Sequence, residues 1–342
     1  MTAMTTARTK KGRMRGTWIT LALTIALLAI LLSQTDLRAI ATGFSNLSPA
    51  AAAGGLLAWG GMNWLRAIRF RMLVHSRTIP LGRLFSIVNV QNLLASFTPG
   101  RAGELSYVVL LRQDGRVPGT EGLAGLVVAR VQDLVLACGL AFGALLAVRR
   151  VLPPGSGHVL LTAAAFFAVS VLIALQLARL SETGARMAQA LLRRTRLGRW
   201  GPARSAAEKV IHLHEHIARE RSVQTGLRLW LLTAAIWMAN YAVSYIWIVG
   251  LGLPLSVGGI LFVAAVSGLA GSLPVQGLAG LGTTEAGWAI PLVLMGIARD
   301  RAIAAGFCFH ALAAVYLVLL GAAGALHLSH TRRIEAAPGA GK

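Results

Sequence analysis

A short polar segment between two apolar stretches holds the residues whose types and spacing could do chemistry. Arg101 and Glu104 stand three residues apart beside Pro99, which has no backbone donor, and beside Gly100 and Gly103, which permit turns that other residues resist. Backbone amides at such turns can hold an anion, for example a phosphate. We therefore predict a phosphate site on Arg101 and the glycine amides, with Glu104 aligning the arginine or carrying a proton. The alternative is an ion pair that only fixes the turn.

A second interrupted apolar stretch, residues 266–291, repeats this arrangement. It reaches Glu285 after four residues that break regular structure: Pro274, Gly277, Gly280 and Gly282. No basic residue lies near Glu285 in the sequence, so its carboxyl is expected to be protonated or paired with a distant arginine. Either state suits proton coupling. A hydrogen bond to Thr283 or Thr284 is the structural alternative.

More charge lies inside or beside other apolar stretches. Arg130 and Asp133 are three residues apart in the sequence. One prediction is that they contribute to a binding site, and the alternative is that they pair with each other, or with Arg101 and Glu104, and so hold the helix bundle together. Three arginines follow an earlier apolar stretch and either collect an anionic group or anchor the helix at the membrane surface: Arg66, Arg69 and Arg71.

Composition defines the elements that must position these residues. The chain has 342 residues, of which 56% are hydrophobic and 13% charged, and several segments reach the ~20 apolar residues that span a bilayer. This indicates a polytopic α-helical membrane protein. The net charge of +21 comes from basic residues beside apolar segments, where they face anionic lipid, so we predict no nucleic-acid partner.

The predicted order of elements is six spans and two hairpins. The spans cover residues 17–33, 49–70, 121–148, 158–177, 229–250 and 302–326, and the hairpins cover 84–112 and 256–297. A basic connection, 179–228, has the pattern of amphipathic surface helices. The predicted domains are a cytoplasmic tail, 1–16, a transmembrane domain, 17–328, and a cytoplasmic tail, 329–342.

The distribution of basic residues among the loops places both termini on the cytoplasmic side of the membrane. It also makes the first hairpin enter the membrane from the cytoplasmic side and the second hairpin from the outer side. The unit 49–148 and the unit 229–326 then have inverted topology, which is typical of transporters that bind substrate at the repeat interface. The predicted fold is an all-α polytopic membrane protein with an inverted repeat and two Pro/Gly-broken hairpins, whose arms either span or re-enter.

Short motifs in this order resemble the transmembrane region of lysylphosphatidylglycerol synthases and their stand-alone flippase-like relatives. Asn92, the run 99–104 and Arg112 are similar to the block "N-x-LP-x-R-x-GE". The segments 69–71 and 130–133 are similar to the arginine and "ER-x-x-D" positions of that family. The residues similar to its second block, "P-x-x-GGxGxxE", are Pro274, Gly280, Gly282 and Glu285.

The chain departs from the family pattern at several positions. Thr98 replaces an apolar residue, Ala129 stands where a glutamate is common, and residues 275–276 lengthen the second block. The chain ends at Lys342 without a soluble aminoacyl-transferase domain, so synthesis of lysyl-lipid is not expected. The resemblance implies movement of an anionic or polyprenyl-linked lipid between leaflets.

These observations lead to one predicted function and two rivals. We predict a lipid flippase of the inner membrane whose partner is an anionic phospholipid or a polyprenyl-phosphate lipid. The first rival is a scaffold that recruits a lipid-modifying enzyme or glycosyltransferase through residues 179–228. The second rival, a lipid-modifying enzyme, has only Glu104 and Glu285 as candidate groups. No nucleotide-binding loop, nucleophile elbow or HExxH motif is found, so we predict no enzyme, cofactor or metal.

Overall fold

A computed structural model describes residues 45, 47–74, 79–98, 103–113, 117–150, 157–194, 204, 207–208, 210–212, 214–215, 223–272 and 280–336. All regular structure in these residues is helical, which confirms the all-α class. The predicted first span, 17–33, and the candidate residues Gly100 and Arg101 lie outside the described residues, as does Pro274.

The helices follow one another without strands in the described part of the chain. They are α1 (Pro49–Leu73), α2 (Leu81–Phe97), α3 (Ser106–Gln113), α4 (Gly119–Val148), α5 (Gly157–Arg194), α6 (Val223–Gly250), α7 (Val257–Ser272), α8 (Thr283–Leu294) and α9 (Arg299–Ala336).

Four of the described helices contain segments long and apolar enough to cross a membrane: Gly119–Val148, Leu160–Leu177, Gln224–Gly250 and Arg299–Glu335. They coincide with four of the predicted spans. Helix α1 is 25 residues long but carries Asn63 and three arginines near its end, so it is less apolar than the four. The protein is therefore a multi-pass membrane protein.

Helix α5 differs from its predicted limits. The predicted fourth span ends at residue 177, and the predicted surface connection begins at residue 179. The structure continues one helix from Gly157 to Arg194, because no proline or glycine pair interrupts the sequence between these residues and the apolar segment passes directly into a strongly helix-forming polar one. The start of the connection is thus an extension of a spanning helix.

Glycines allow the two arms of each hairpin to meet. The amide of Gly103 donates to Thr98 Oγ1 at 2.7 Å, and a Cβ at Gly103 would overlap the Leu94 carbonyl. In the second hairpin, Gly280 and Gly282 have φ angles of 79° and 80°, a left-handed conformation that favours glycine. Glycine at these positions is needed by the backbone itself.

The two halves interlock through their hairpins. Helix α2 of the first hairpin packs against α9, and α7 of the second hairpin packs against α4, while α1 packs against α6. Close contact at the α2–α9 seam depends on small residues, since a Cβ on Gly324 would lie 2.8 Å from the Ser86 carbonyl oxygen. Each hairpin thus packs, through its first helix, against the spanning helix that follows the other hairpin. The inverted orientation of the two halves across the membrane stays a prediction.

Candidate functional site

A bidentate ion pair joins the first two long helices of the structure. Both terminal nitrogens of Arg69, on α1, donate to the two carboxylate oxygens of Asp133, on α4, at 2.6 and 3.0 Å. Arg69 also donates to Thr233 Oγ1, on α6, at 3.3 Å, and only 2% of the residue is exposed. Arg69 therefore ties three helices together from within the protein, because a paired guanidinium has a fixed geometry.

A second ion pair extends this one toward the first hairpin. The Arg130 side chain donates from Nε to Glu104 Oε2 at 2.8 Å and from a terminal nitrogen to Oε1 at 2.8 Å. Its other terminal nitrogen lies 3.7 Å from Asp133 Oδ2. Together they form what we term the charge ladder, Arg69–Asp133–Arg130–Glu104. Of the alternatives for Arg130, the structure contains both the link to Asp133 and the cross-link to Glu104.

Exposure separates the two arginines of the charge ladder. The Arg130 side chain is 42% exposed, whereas that of Arg69 is 3% exposed. A lipid or other ligand can therefore reach Arg130 but not Arg69. Of these two predicted binding residues, Arg130 is placed to touch a ligand and Arg69 to hold the framework.

An amide network adjoins the charge ladder on the face shared by α1 and α2. Asn63 donates to Asn89 Oδ1 at 2.8 Å and accepts from Asn92 at 3.2 Å and from Arg66 at 3.3 Å. Asn92 was predicted, but Asn63 was missed. The signal for Asn63 in the sequence was a polar residue in an otherwise apolar stretch, three positions before Arg66.

The glutamate of the second hairpin is completely buried. Glu285 lies in the first turn of α8, where Oε2 accepts the Gly282 amide at 2.7 Å and so satisfies a donor at the helix start. Its other oxygen, Oε1, lies 2.8 Å from His310 Nδ1, on α9. From the sequence alone, a lone histidine in an apolar span is more often a packed residue than a proton relay. The one available signal was a titratable group within an apolar span.

A cavity of about 440 Å³ lies between the two hairpins. Four of the predicted site residues line it: Asn92, Arg130, Asp133 and Gly280. Arg69, Gly282 and Glu285 are absent from its lining and support it from behind, and Gly103 lies where the arms of the first hairpin meet. Arg101 and Gly100 lie outside the described residues, so their part in the site stays a prediction.

The cavity wall is amphipathic. Its charged and polar members include Arg66, Arg130, Asp133, Asn240, Ser267 and His310, and its apolar members include Trp59, Trp237, Trp247, Trp288, Phe97 and Phe309. Trp59 stacks on Trp247, with 5.9 Å between ring centroids. Such a wall can hold a ligand that is charged at one end and apolar at the other. In the described part of the chain, no three His, Cys, Asp or Glu side chains gather closely enough to hold a metal ion.

Comparison with known proteins finds a family that covers most of the chain. The family profile described as "Lysylphosphatidylglycerol synthase TM region" matches residues 17–321, which includes both hairpins and every element of the cavity. No curated protein and no solved structure matches the chain.

Proposed function

Because the chain belongs to the family of the lysylphosphatidylglycerol synthase transmembrane region, we propose that it moves an anionic lipid between the two leaflets of the cell membrane. The substrate class is a phospholipid or a polyprenyl-phosphate lipid. In this proposal the protein translocates the lipid without changing it chemically. Both termini are cytoplasmic, as the positions of the basic residues predict.

The observation that carries the proposal is the partly exposed guanidinium of Arg130 inside an intramembrane cavity. A charged group at membrane depth is costly and is typical of a substrate pathway. Glu104 engages part of the guanidinium, and the exposed remainder can donate to phosphate oxygens. Arg66 lies on the same wall and adds positive charge. Arg101 stays a predicted contributor to this anion site.

The apolar part of the wall supports a lipid as the ligand. Tryptophan and phenylalanine side chains also line the cavity, and in this proposal they contact the apolar part of a headgroup or the first methylenes of a chain. The acyl chains then remain in the bilayer while the headgroup crosses through the polar path.

Transport by purified protein tests the proposal. The full chain is reconstituted into phosphatidylcholine vesicles with a trace of fluorescent phosphatidylglycerol, and a membrane-impermeant quencher reports which leaflet holds the probe. Loss of one charge-assisted hydrogen bond is worth about 1.5–3 kcal/mol, so Arg130→Ala should slow movement about 10- to 100-fold. Thermal unfolding of the variant confirms that it is folded.

Arg186→Ala is the matched control, because Arg186 is an exposed arginine, 75% exposed, on a spanning helix and pairs with Glu182 four residues earlier. The rate of the control should equal that of the wild type. Equal rates in wild type and Arg130→Ala would overturn the cavity mechanism. Loss of cellular function on removing basic residues from 179–228, with transport intact in Arg130→Ala, would favour the scaffold alternative.

A further inference from the structure

We propose that Glu285 and His310 form a proton-binding site that couples lipid movement to a pH gradient. This inference rests on the proposed function and deepens it by assigning the energy source. It starts from the placement of the two side chains. Glu285 lies behind the cavity wall with 1% of its side chain exposed, and the His310 side chain, 15% exposed, lines the cavity. His310 is therefore the route by which a proton from the cavity reaches the carboxylate.

The hydrogen bonds of the pair allow it to gain or lose one proton. Oε2 of Glu285 is held by the Gly282 amide, and Oε1 faces His310 Nδ1 at 2.8 Å. With both ring nitrogens of His310 protonated, the imidazolium and the carboxylate form an ion pair of net charge zero. Loss of one proton leaves a buried carboxylate beside a neutral ring, with net charge −1. Burial makes the second state unfavourable unless another charge compensates it.

Among the described residues around the pair, no other group ordinarily titrates near neutral pH. Helix α8 carries Glu285 as its one titratable residue, and α7 carries none. Across the cavity stand Arg66, Arg130 and Asp133, of which the arginines stay charged and the aspartate is held by Arg69. Nearby on α9 are Cys308 and Tyr316, and such groups ordinarily titrate at higher pH than histidine.

The sign of the coupling follows from charge. An anionic headgroup in the cavity is repelled by the pair at net charge −1 and not at net charge zero. Lipid and proton therefore enter together, and the affinity for the anionic lipid falls when the pair loses its proton at higher pH. One unit charge about 10 Å away, at an effective dielectric constant of about 20, changes affinity about tenfold. A pH gradient should thus drive the lipid from the acidic to the alkaline side.

The alternative carrier, Glu104, is less suited to this role. It accepts two charge-assisted bonds from Arg130, so both of its oxygens are already engaged by a permanent cation. The two glutamates of the hairpins therefore have different tasks. Glu104 positions the arginine that meets the anion, and Glu285 exchanges the proton.

The test measures phosphatidylglycerol binding and movement at pH 5.5 and 8.0 in wild type, Glu285→Gln, His310→Gln and His327→Gln. A phosphodiester probe has no proton to exchange in this range, so the protein alone sets the pH dependence. Glutamine at 285 keeps an acceptor for the Gly282 amide, and His327 is an exposed histidine on the same helix. The vesicles also receive an imposed pH gradient.

We expect tenfold tighter binding at pH 5.5 than at 8.0, and gradient-driven accumulation of the probe, in wild type and His327→Gln. In Glu285→Gln and His310→Gln we expect equal binding at both pH values and equilibration without accumulation. Equal pH dependence in all four proteins, with transport intact, overturns this inference and leaves the proposed function standing. Absence of transport in the wild type at every pH overturns both.

Discussion

The two hairpins each bring one glutamate into contact with a residue that lines the same cavity, but they neutralise it differently. Glu104 belongs to the charge ladder, in which each carboxylate lies next to an arginine and the ladder has no net charge. Glu285 faces a histidine and a backbone amide. An arginine partner keeps its charge at all working pH values, whereas a histidine partner does not. In the proposed mechanism, the first hairpin therefore holds a permanent charge pair and the second a pair that exchanges a proton.

The ion pairs at the two hairpins also differ in the free energy that it costs to break them inside the protein. A bidentate arginine–carboxylate pair between helices satisfies most of its donors and acceptors at once. Removing one partner leaves an uncompensated charge inside the protein, which is more harmful than losing both. The pair at Glu285 is a single hydrogen-bonded contact, and its glutamate can be replaced by a neutral isostere.

Asp133→Ala should give the largest loss of stability. The buried guanidinium of Arg69 then has no carboxylate partner, and breaking a buried pair in this way costs about 3–5 kcal/mol. Thermal unfolding in detergent measures the change. Glu182→Ala, which breaks the exposed pair with Arg186 on α5, is the control and should change stability by about 0–1 kcal/mol. A similar small change in both variants would show that the charge ladder is not structural.

Glu285→Ala should destabilise the protein by about 1–3 kcal/mol, because the Gly282 amide and the His310 ring both lose their acceptor in a buried place. Glu285→Gln should recover most of this loss, since it keeps an acceptor of the same shape. Unfolding temperatures of the two variants, measured side by side, make the comparison. If alanine and glutamine were equally harmful, the negative charge itself would stabilise the second hairpin.

Gly103→Ala should cost about 1–3 kcal/mol, because the added methyl group meets the Leu94 backbone and Thr98 Oγ1 at 2.5 Å. Gly287→Ala meets only the Ala270 methyl group at 2.9 Å in the second hairpin and should cost less. Gly82→Ala meets nothing within 4 Å on α2 and should be neutral or stabilising. Equal melting temperatures for all three would show that the first hairpin has room to open.

Asn92→Ala should have the smallest effect, about 0.5–1.5 kcal/mol, since it removes one neutral hydrogen bond to Asn63 at 3.2 Å. Lipid binding measured by native mass spectrometry should fall only a few-fold, because Arg130 remains on the wall. Ser181→Ala on α5, which removes a hydrogen bond to His214 at a distance from the cavity, is the control. A loss of lipid as large as that in Arg130→Ala would place Asn92 at the centre of the anion site.

The features of this structure that could be predicted from the sequence are those that depend on local residue types. Apolar segments of spanning length at 121–148, 158–177, 229–250 and 302–326 occur as helices, since hydrophobic length is a property of the segment alone. Gly280, Gly282 and Gly103 were recognised as turn positions because proline and glycine restrict or free the backbone wherever they stand. The family profile confirms the identity that the short motifs indicated.

An all-α membrane protein with two broken hairpins and charged residues within apolar segments could be predicted from residue types alone. Which charges meet depends on how the helices pack. Arg69 and Asp133 are 64 positions apart, and His310 is 25 positions from Glu285. Such partners are chosen by how helices cross and which faces meet, and no local pattern contains that geometry. The same packing left Arg130 exposed to the cavity and enclosed Arg69, although both are arginines in apolar surroundings.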